Sequence, residues 1–451
     1  DELGGTGIGV DRQNGIAALR TARARAGQCQ LPIYAGFARR FDVGFMQTQT
    51  AAVQQTTSRE RERKIERWAL AAVLVAAAAL RLFHLGQLPN GFSPDEASYG
   101  YNGYSLLHTG RDRFGEWLPL FADNFGDLIA ASYMWLTVPS IALFGLDEFS
   151  VRLPAALIGI ATVWVVYQLG VVLYDTWAGL LSAFFLAISP WHIQISRYAE
   201  RSPLLPLLFC LGLLFFLRWQ HKKNALLWSA LAFALCLYSY ASARVFVPLY
   251  ILGTGLIYRE ALWAERRRVL VAIAVFVLLA LPAAYHWTSD AGMARAQYLL
   301  HWAPLEWLQN YLSYFGPNYL FLNGDANLRH SIRAVGQLHF FEMATVAAGL
   351  VFCARRRSRA DALVALWLLL YPLPAALTEP AHAIRSVAGA ALFALLSGCG
   401  LKSIITALTN RRRIPVAAIS ALVIAASLGL YGKRYFVDYA EYGATEWMYG
   451  M

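Results

Sequence analysis

The chain has 451 residues, of which 58% are hydrophobic, 14% are aromatic and only 15% are charged. A soluble domain usually has about 45–50% apolar and about 25% charged residues, so this composition excludes an ordinary soluble protein. The formal net charge of +11 does not indicate nucleic-acid binding, because the Lys and Arg residues lie in short clusters between apolar runs, where membrane topology places them. The five cysteines lack the paired spacing of a disulfide framework or a zinc site.

The chain begins with a polar segment, residues 1–58, which has no sustained helical or strand periodicity and is predicted to be disordered. Because position 1 is not Met, the alternative is that part of this segment is an upstream artefact or a fragment boundary. Residues 59–435 are predicted to form one transmembrane domain, whose first apolar run lacks a cleavage site and therefore resembles a retained signal anchor. Residues 436–451 are expected to form an outer tail, with truncation of the chain there as an alternative.

Apolar segments recur along the predicted domain, and most are long enough to cross a hydrocarbon core of about 30 Å as helices. They lie at roughly 68–85, 128–146, 153–173, 177–195, 203–217, 225–240, 245–258, 269–287, 339–354, 361–378, 387–405 and 415–432. Basic clusters separate them at Arg59–Arg67, Arg218–Lys223, Arg266–Arg268, Arg355–Arg359 and Arg411–Arg413. The positive-inside rule places these clusters in the cytoplasm, so an even number of spans must separate neighbouring clusters.

The segment 128–146 is the one expected not to cross, because it contains Pro139 and is bounded by Asp127 and Asp147. It is predicted to lie on the outer surface as an interfacial helix. The fold class is therefore predicted to be all-α, a polytopic integral membrane protein with about eleven transmembrane helices and interfacial helices on its outer face. The N-terminus lies inside and the C-terminal tail outside in this topology.

The first outer loop contains a predicted helix with clear start and stop signals. Ser93 fits the N-cap, Pro94 the first helical position, Glu96 the third position of a capping box and Gly110 the C-terminal stop. Helix capping by itself explains acidic residues here. Capping explains Glu96 better than Asp95, however, so Asp95 is a candidate base for an acceptor hydroxyl or amine.

A second outer loop supplies Glu200, flanked by Arg197 and Arg201. Glu200 is predicted to face Asp95 across a cleft, where it orients the acceptor or holds a cation. The alternative is a plain ion pair with either arginine, followed by a helix start at Ser202.

Two further outer loops carry candidate binding residues. His382 and Arg385 are predicted to grip a phosphate, since Arg offers a planar charged fork, and Arg244 is a further candidate of this kind. The alternative is that these arginines reach lipid headgroups. The loop 288–338 is predicted to form a lid or acceptor platform through four residues, Asp325, Asn327, Arg329 and His330. An ion pair between Asp325 and Arg329 that merely holds the loop is the alternative.

No cofactor is expected from the spacing of these residues. Most histidines lie in or near predicted outer regions, which leaves a divalent cation open, but no two of them have a recognised ligand spacing.

Four segments of the sequence resemble the GT-C membrane glycosyltransferases, most closely their protein O-mannosyltransferase and aminoarabinose transferase branch. These segments are Pro94–Glu96, Phe149–Pro154, Ser189–His192 and Asn323–Ser331. The resemblance implies a polyprenyl-phosphate sugar donor and an outer-loop acid that activates the acceptor. It implies that Asp95 is the base, Glu96 its neighbour and Glu200 a second acid.

The expected function is therefore transfer of a hexosyl or pentosyl group from a polyprenyl-phosphate donor to a lipid, protein or polymer acceptor. The expected location is the plasma (inner) membrane, with the active site on its periplasmic or extracellular face. A transporter or lipid flippase is the alternative, although such proteins usually place ionisable groups near the membrane midplane and often show repeats. A non-catalytic scaffold would leave the charged outer loops unexplained.

The topology predicts that positions 95, 200 and 382 share the outer face, whereas positions 267 and 356 face the cytoplasm. Single cysteines at these positions, treated with an impermeant thiol reagent in intact cells, measure the sidedness directly. Labelling is expected at 95, 200 and 382 only. Labelling at 267 without labelling at 95 contradicts the topology.

Overall fold

The computed structural model describes residues 60–289, 303–408 and 410–448. The predicted disorder of residues 1–58 lies outside these ranges and stays a prediction. The chain divides into two compact units, of which the first ends at Arg67 and the second begins at Trp68. Residues 60–67 of the first unit are helical, and the second unit contains the elements that form the cleft.

Helices dominate the second unit. In chain order they are α1 (68–82), α2 (Pro94–Thr109), α3 (Ser132–Phe144), α4 (Glu148–Leu173), α5 (Thr176–Ile188), α6 (Pro190–Ile195), α7 (Leu204–Leu217), α8 (Ala225–Cys236), α9 (Ala243–Ile257), α10 (Arg259–Ala264), α11 (Arg266–Thr288), α12 (Pro304–Ser313), α13 (Glu342–Arg356), α14 (Arg359–Leu370), α15 (Leu373–Ala376), α16 (Ala388–Ala407), α17 (Asn410–Lys433) and α18 (Tyr439–Tyr442). π-helical turns cover Asn318–Leu322 and Arg434–Asp438, and a 3-10 turn covers Ala444–Trp447.

A short antiparallel hairpin stands beside these helices, with β1 (Phe121–Asn124) paired to β2 (Asp127–Ala130). Its register places Phe121 opposite Ala130 and Asn124 opposite Asp127. The predicted all-α class is confirmed, since this hairpin is a small addition to a helical protein. The segment predicted as one interfacial helix, 128–146, is instead strand β2 followed by α3, because residues 127–130 complete the hairpin before the helix begins.

Several helices are long and apolar enough to cross a membrane. They are α4, α11, α14 with its continuation to Ala376, α16, and the stretch Ile414–Tyr442. Among the described residues, α3, α5, α7, α8 and α9 are apolar but shorter. The polytopic membrane class is confirmed, whereas the number of about eleven crossings stays a prediction.

The centre of the protein is built around α16, which packs against α5 and α13. Small residues permit this close contact. A Cβ atom at Gly400 would lie 1.9 Å from the carbonyl oxygen of Thr345, and one at Gly398 would lie 2.3 Å from the hydroxyl of Ser182. Such small residues let helix backbones approach closely inside a membrane, where packing rather than water exclusion drives association.

The predicted start of α2 is confirmed in detail. The Ser93 side chain accepts a hydrogen bond from the Glu96 amide, the Glu96 side chain accepts one from the Ser93 amide, and Gly110 ends the helix in a left-handed conformation. The Glu96 carboxylate also binds outside its own helix. It accepts from Nε of Arg152 in α4 at 2.7 Å and from the Ala199 amide at 3.1 Å.

Arg152 extends this contact to the loop after α1. Its guanidinium also donates to the carbonyl oxygens of Leu85, Pro89 and Gly91. Both side chains of the Glu96–Arg152 pair are completely buried. A buried ion pair is stable only when further hydrogen bonds satisfy both partners, and this pair meets that condition.

Glu96→Gln is expected to destabilise the protein by about 3–5 kcal/mol, because Gln can still cap the helix but leaves the Arg152 charge buried without its counterion. The measurement is thermal or denaturant unfolding of the purified protein in detergent micelles. Glu148→Gln is the control, since Glu148 occupies the first turn of α4 and is exposed. Equal free energies of unfolding for the two variants would contradict the prediction that Glu96 stabilises the fold through Arg152.

Candidate active site

A cleft of about 250 Å³ lies at the N-terminal end of α2. It is lined by residues from the α1–α2 loop and α2, the hairpin, the α6–α7 loop, the loop before α9 and the two late loops. These residues include Ser93, Asp95, Tyr99, Asn124, Tyr198, Glu200, Arg201, Tyr240, Asn327, Arg329, His330, His382, Ile384 and Arg385. Seven of the residues singled out from the sequence therefore line one cavity: Asp95, Glu200, Asn327, Arg329, His330, His382 and Arg385.

Asp95 presents a partly free carboxylate to this cleft. Its side chain is 40% exposed, and Oδ2 lies 3.8 Å from the guanidinium of Arg329. The Asn124 side chain donates to Oδ1 at 2.8 Å. The hairpin and the late loop therefore both orient Asp95 without covering it. A carboxylate held this way can accept a proton from a group that enters the cleft.

Glu200 faces the same cleft from a more buried position. The Arg201 amide donates to its Oε1 at 2.8 Å. Burial raises the pKa of Glu200 above its usual 4.5. The positive charge of Arg201 opposes this shift, and the negative charge of Asp95 adds to it. Glu200 therefore holds its proton to a higher pH than an exposed glutamate does.

Arginines supply positive charge along the same cavity. Arg201 lies over the Tyr240 ring at 5.5 Å, and Arg385 contacts Glu379 at 3.0 Å. Within the part of the chain that the structure describes, Nε of Arg201 and Nη1 of Arg385 are buried without a hydrogen-bond partner. Buried donors of this kind are costly unless they are satisfied, so they favour an anionic ligand.

Asp325, His330 and His382 form a polar cluster beside the cleft. Oδ2 of Asp325 lies 3.0 Å from Nδ1 of His330 and accepts from the Ala383 amide at 2.7 Å. Burial opposes ionisation of Asp325, but these hydrogen bonds and the two imidazoles leave its pKa below the usual value. Burial and the neighbouring His330 lower the pKa of His382 to about 3, so His382 is neutral at physiological pH.

Three predicted residues lie outside the cleft lining. Glu96 is buried in its pair with Arg152, and Asp325 reaches the cleft only through the histidines it binds. Arg244 stacks over the Trp287 ring at 5.1 Å.

The C-terminal segment, predicted as an outer tail, holds the loop that carries Arg329. The Tyr439 hydroxyl donates to the Leu328 carbonyl at 2.6 Å and accepts from Nε1 of Trp447 at 2.8 Å. The Gln194 side chain donates both to this hydroxyl and to the Arg329 carbonyl. These contacts fix the backbone from which Arg329 approaches Asp95. No spacing or motif in the sequence distinguishes Tyr439 or Gln194.

Asn124 was also missed from the sequence, although the turn residues Asn124-Phe125-Gly126 between apolar runs are a hairpin signal. In the sequence, Arg201 stands out only as a candidate ion-pair partner of Glu200.

Comparison with known proteins places this geometry in context. The family model described as dolichyl-phosphate-mannose-protein mannosyltransferase matches residues 131–286. The chain is 26% identical over 170 residues, 37% of its length, to YycA from Bacillus subtilis (strain 168), a protein named for an inferred mannosyltransferase activity, and this match covers 24% of YycA.

Two solved structures share the fold. ArnT from Cupriavidus metallidurans matches 80% of this chain over 64% of its own, with 16% identity and a TM-score of 0.54. AglB from Archaeoglobus fulgidus, an oligosaccharyltransferase, matches 86% of this chain over 56% of its own, with 14% identity and a TM-score of 0.52. The chain thus spans less than two thirds of the length of these relatives. The predicted resemblance to the GT-C membrane glycosyltransferases is confirmed, and the chain is a polytopic membrane protein that shares the fold of ArnT and AglB.

Proposed function

We propose that this protein transfers a sugar from a polyprenyl-phosphate donor to an acceptor bound in the outer cleft. The observation that carries the proposal is the cleft itself, in which a partly exposed Asp95 and the buried, unsatisfied arginine donors of Arg201 and Arg385 line one cavity. The comparisons support the donor class. ArnT has been solved bound to undecaprenyl phosphate, and AglB has been solved in complex with a dolichol-phosphate and an inhibitory peptide.

The proposed reaction uses the negative charge of Asp95 and the positive charges of the arginines in different roles. An acceptor hydroxyl or amine forms a bond to the anomeric carbon of the sugar, and the bond between that carbon and the phosphate oxygen breaks. Asp95 takes the acceptor proton, and the bonding electron pair leaves with the lipid phosphate. Arg385 and Arg201 stabilise the charge that develops on the phosphate, so a separate general acid is unnecessary.

Glu200 is assigned to acceptor orientation. Its carboxyl group lines the cavity beside Asp95, and burial raises its pKa above the usual 4.5. Arg329, which contacts Asp95, helps to hold that carboxylate in place at the cleft.

His382 and Arg244 are assigned a smaller contribution to phosphate binding than Arg385. A neutral His382 adds no charge for the phosphate, and Nε2 of its ring already faces Glu379 at 3.3 Å. The active face is assigned to the periplasm or extracellular space, because the charged loops of the cleft lie opposite the basic clusters in the predicted topology. The donor sugar is assigned to the hexoses or pentoses and the acceptor to lipids, proteins or polymers.

Asp95→Asn is expected to lower sugar transfer by about a hundredfold to ten-thousandfold, the usual contribution of a positioned base, with little change in stability. The assay follows a labelled sugar from a synthetic polyprenyl-phosphate donor into extracted lipid, protein and polymer fractions. Asp147→Asn is the matched control, because Asp147 caps α4 outside the cleft and Asn caps equally well. Near-normal turnover by Asp95→Asn would remove the base assignment.

Glu200→Gln is expected to make the stability of the protein less dependent on pH. The folded-state pKa of Glu200 lies above its usual 4.5, so its contribution is fully favourable below that pH and is lost as pH rises through the folded value. The variant should therefore gain stability relative to the native protein as the pH rises above 4.5 and through the folded-state pKa. Unfolding temperatures across this range test the claim, with Glu148→Gln as control, and a constant difference between variant and native protein would contradict it.

A further inference from the structure

Two basic loops meet at the end of α9 that lies away from the cleft. Tyr240, which precedes α9, lines the cleft, whereas α10 and the start of α11 follow the other end of this helix. Gly253 of α9 packs tightly against α14, since a Cβ atom there would lie 2.6 Å from the Leu366 side chain. This close contact brings α10 beside the loop that joins α13 to α14.

Side-chain contacts join the two loops into one surface. The Arg359 guanidinium lies over the Tyr258 ring at 5.7 Å and is 3.5 Å from the Glu260 carboxylate. Residues 258–268 and 355–361 together contain eight arginines and three acidic residues, which gives a net charge of +5. These two segments form the basic patch.

The acidic residues of the basic patch leave most of its positive charge unpaired. Asp361 pairs with Arg356 at 2.8 Å, and Glu265 pairs with Arg268 at 3.2 Å. The other arginines of the patch are exposed and have no carboxylate partner within the described ranges: Arg259, Arg266, Arg267, Arg355 and Arg357. Their guanidinium groups are therefore available to an anionic ligand.

An exposed apolar stripe on α11 begins directly at the basic patch. This helix is long and apolar enough to cross a membrane. Helical spacing places Leu270, Ile273 and Val277 on the same face as Arg266, and all three apolar side chains are exposed. Trp263, just before α11, is 73% exposed. Tryptophan is enriched at the level of the lipid headgroups, so the patch and the stripe together match the headgroup and chains of a lipid.

We propose that the basic patch binds the headgroup of an anionic phospholipid whose acyl chains lie along the exposed stripe of α11. An arginine can hold phosphate oxygens with two parallel N–H donors, and groups of basic residues at the cytoplasmic ends of membrane helices recognise anionic headgroups. The positive-inside rule accounts for basic residues in these loops, but it requires neither an exposed tryptophan nor contacts that join the loops. This inference does not depend on the proposed sugar transfer.

The test is titration of the purified full chain in detergent with phosphatidylglycerol or with phosphatidylcholine of the same acyl chains. Native mass spectrometry counts the bound lipid. Phosphatidylglycerol is expected to bind at least tenfold more tightly, because each arginine near the headgroup contributes about a factor of five. Arg266→Gln combined with Arg267→Gln should therefore weaken phosphatidylglycerol binding roughly 25-fold. Lys222→Gln combined with Lys223→Gln is the matched control, since this pair is exposed but lies in the loop between α7 and α8.

Two further measurements use the native chain alone and do not depend on the folding of a variant. Added salt should weaken phosphatidylglycerol binding, because exposed charges are screened. Glycerol 3-phosphate should bind far more weakly than phosphatidylglycerol, because it lacks the chains that contact α11. Equal affinity of the native chain for the two lipids, equal losses in the arginine and lysine variants, or glycerol 3-phosphate binding as tight as that of phosphatidylglycerol would overturn the proposal.

Discussion

The buried carboxylate of Glu96 lies where three segments beside the cleft meet, and it pairs there with Arg152. Through this pair, the start of α2, the start of α4 and the loop that carries Glu200 are joined by charged hydrogen bonds. Such a pair adds little net stability over an apolar contact, but it is strongly destabilising when one partner is removed. It therefore specifies one arrangement of the segments. Asp95, the residue before Glu96, is placed at the cleft by that arrangement.

Two other buried arginines also join separate segments through hydrogen bonds. Arg81 donates to the carbonyl oxygens of Leu186 and Ala187 at the end of α5, and Arg197 donates to those of Leu80 and Phe83 at the end of α1. Carbonyl groups at helix ends lack partners within the helix and are costly to bury in an apolar environment. Each arginine satisfies such groups and ties one helix end to another. The loops that form the cleft thus extend from a rigid rim, as a preorganised site requires.

Much of this architecture could be predicted because its causes are local in sequence. The Ser93-Pro94-Asp95-Glu96 start of α2 depends on capping geometry within four residues, and the predicted cap is present. The membrane class follows from apolar composition, and the outer acids and cations follow from their positions between apolar runs.

The remaining features depend on contacts between distant segments. In the sequence, Arg152 belongs to a segment that resembles the GT-C family. No feature near it in the sequence identifies it as the partner of Glu96. The shared carboxylate of Asp325 between His330 and His382, and the bonds from Tyr439 to the loop of Arg329, likewise arise only in the fold. The beginning of the segment 128–146 also differs, since pairing with β1 replaces the predicted helix over residues 127–130.

The central claim is that the outer cleft holds the phosphate of a lipid-linked sugar with the sugar next to Asp95. An electron cryomicroscopy structure of the full chain with a non-hydrolysable polyprenyl-phosphonate sugar tests this most directly. The account predicts phosphonate oxygens within about 3 Å of the Arg385 guanidinium, the distance of a charged hydrogen bond, and the anomeric carbon on the Asp95 side of the cleft. A phosphonate bound on the opposite side of the membrane, or a cleft left empty at saturating ligand, would contradict it.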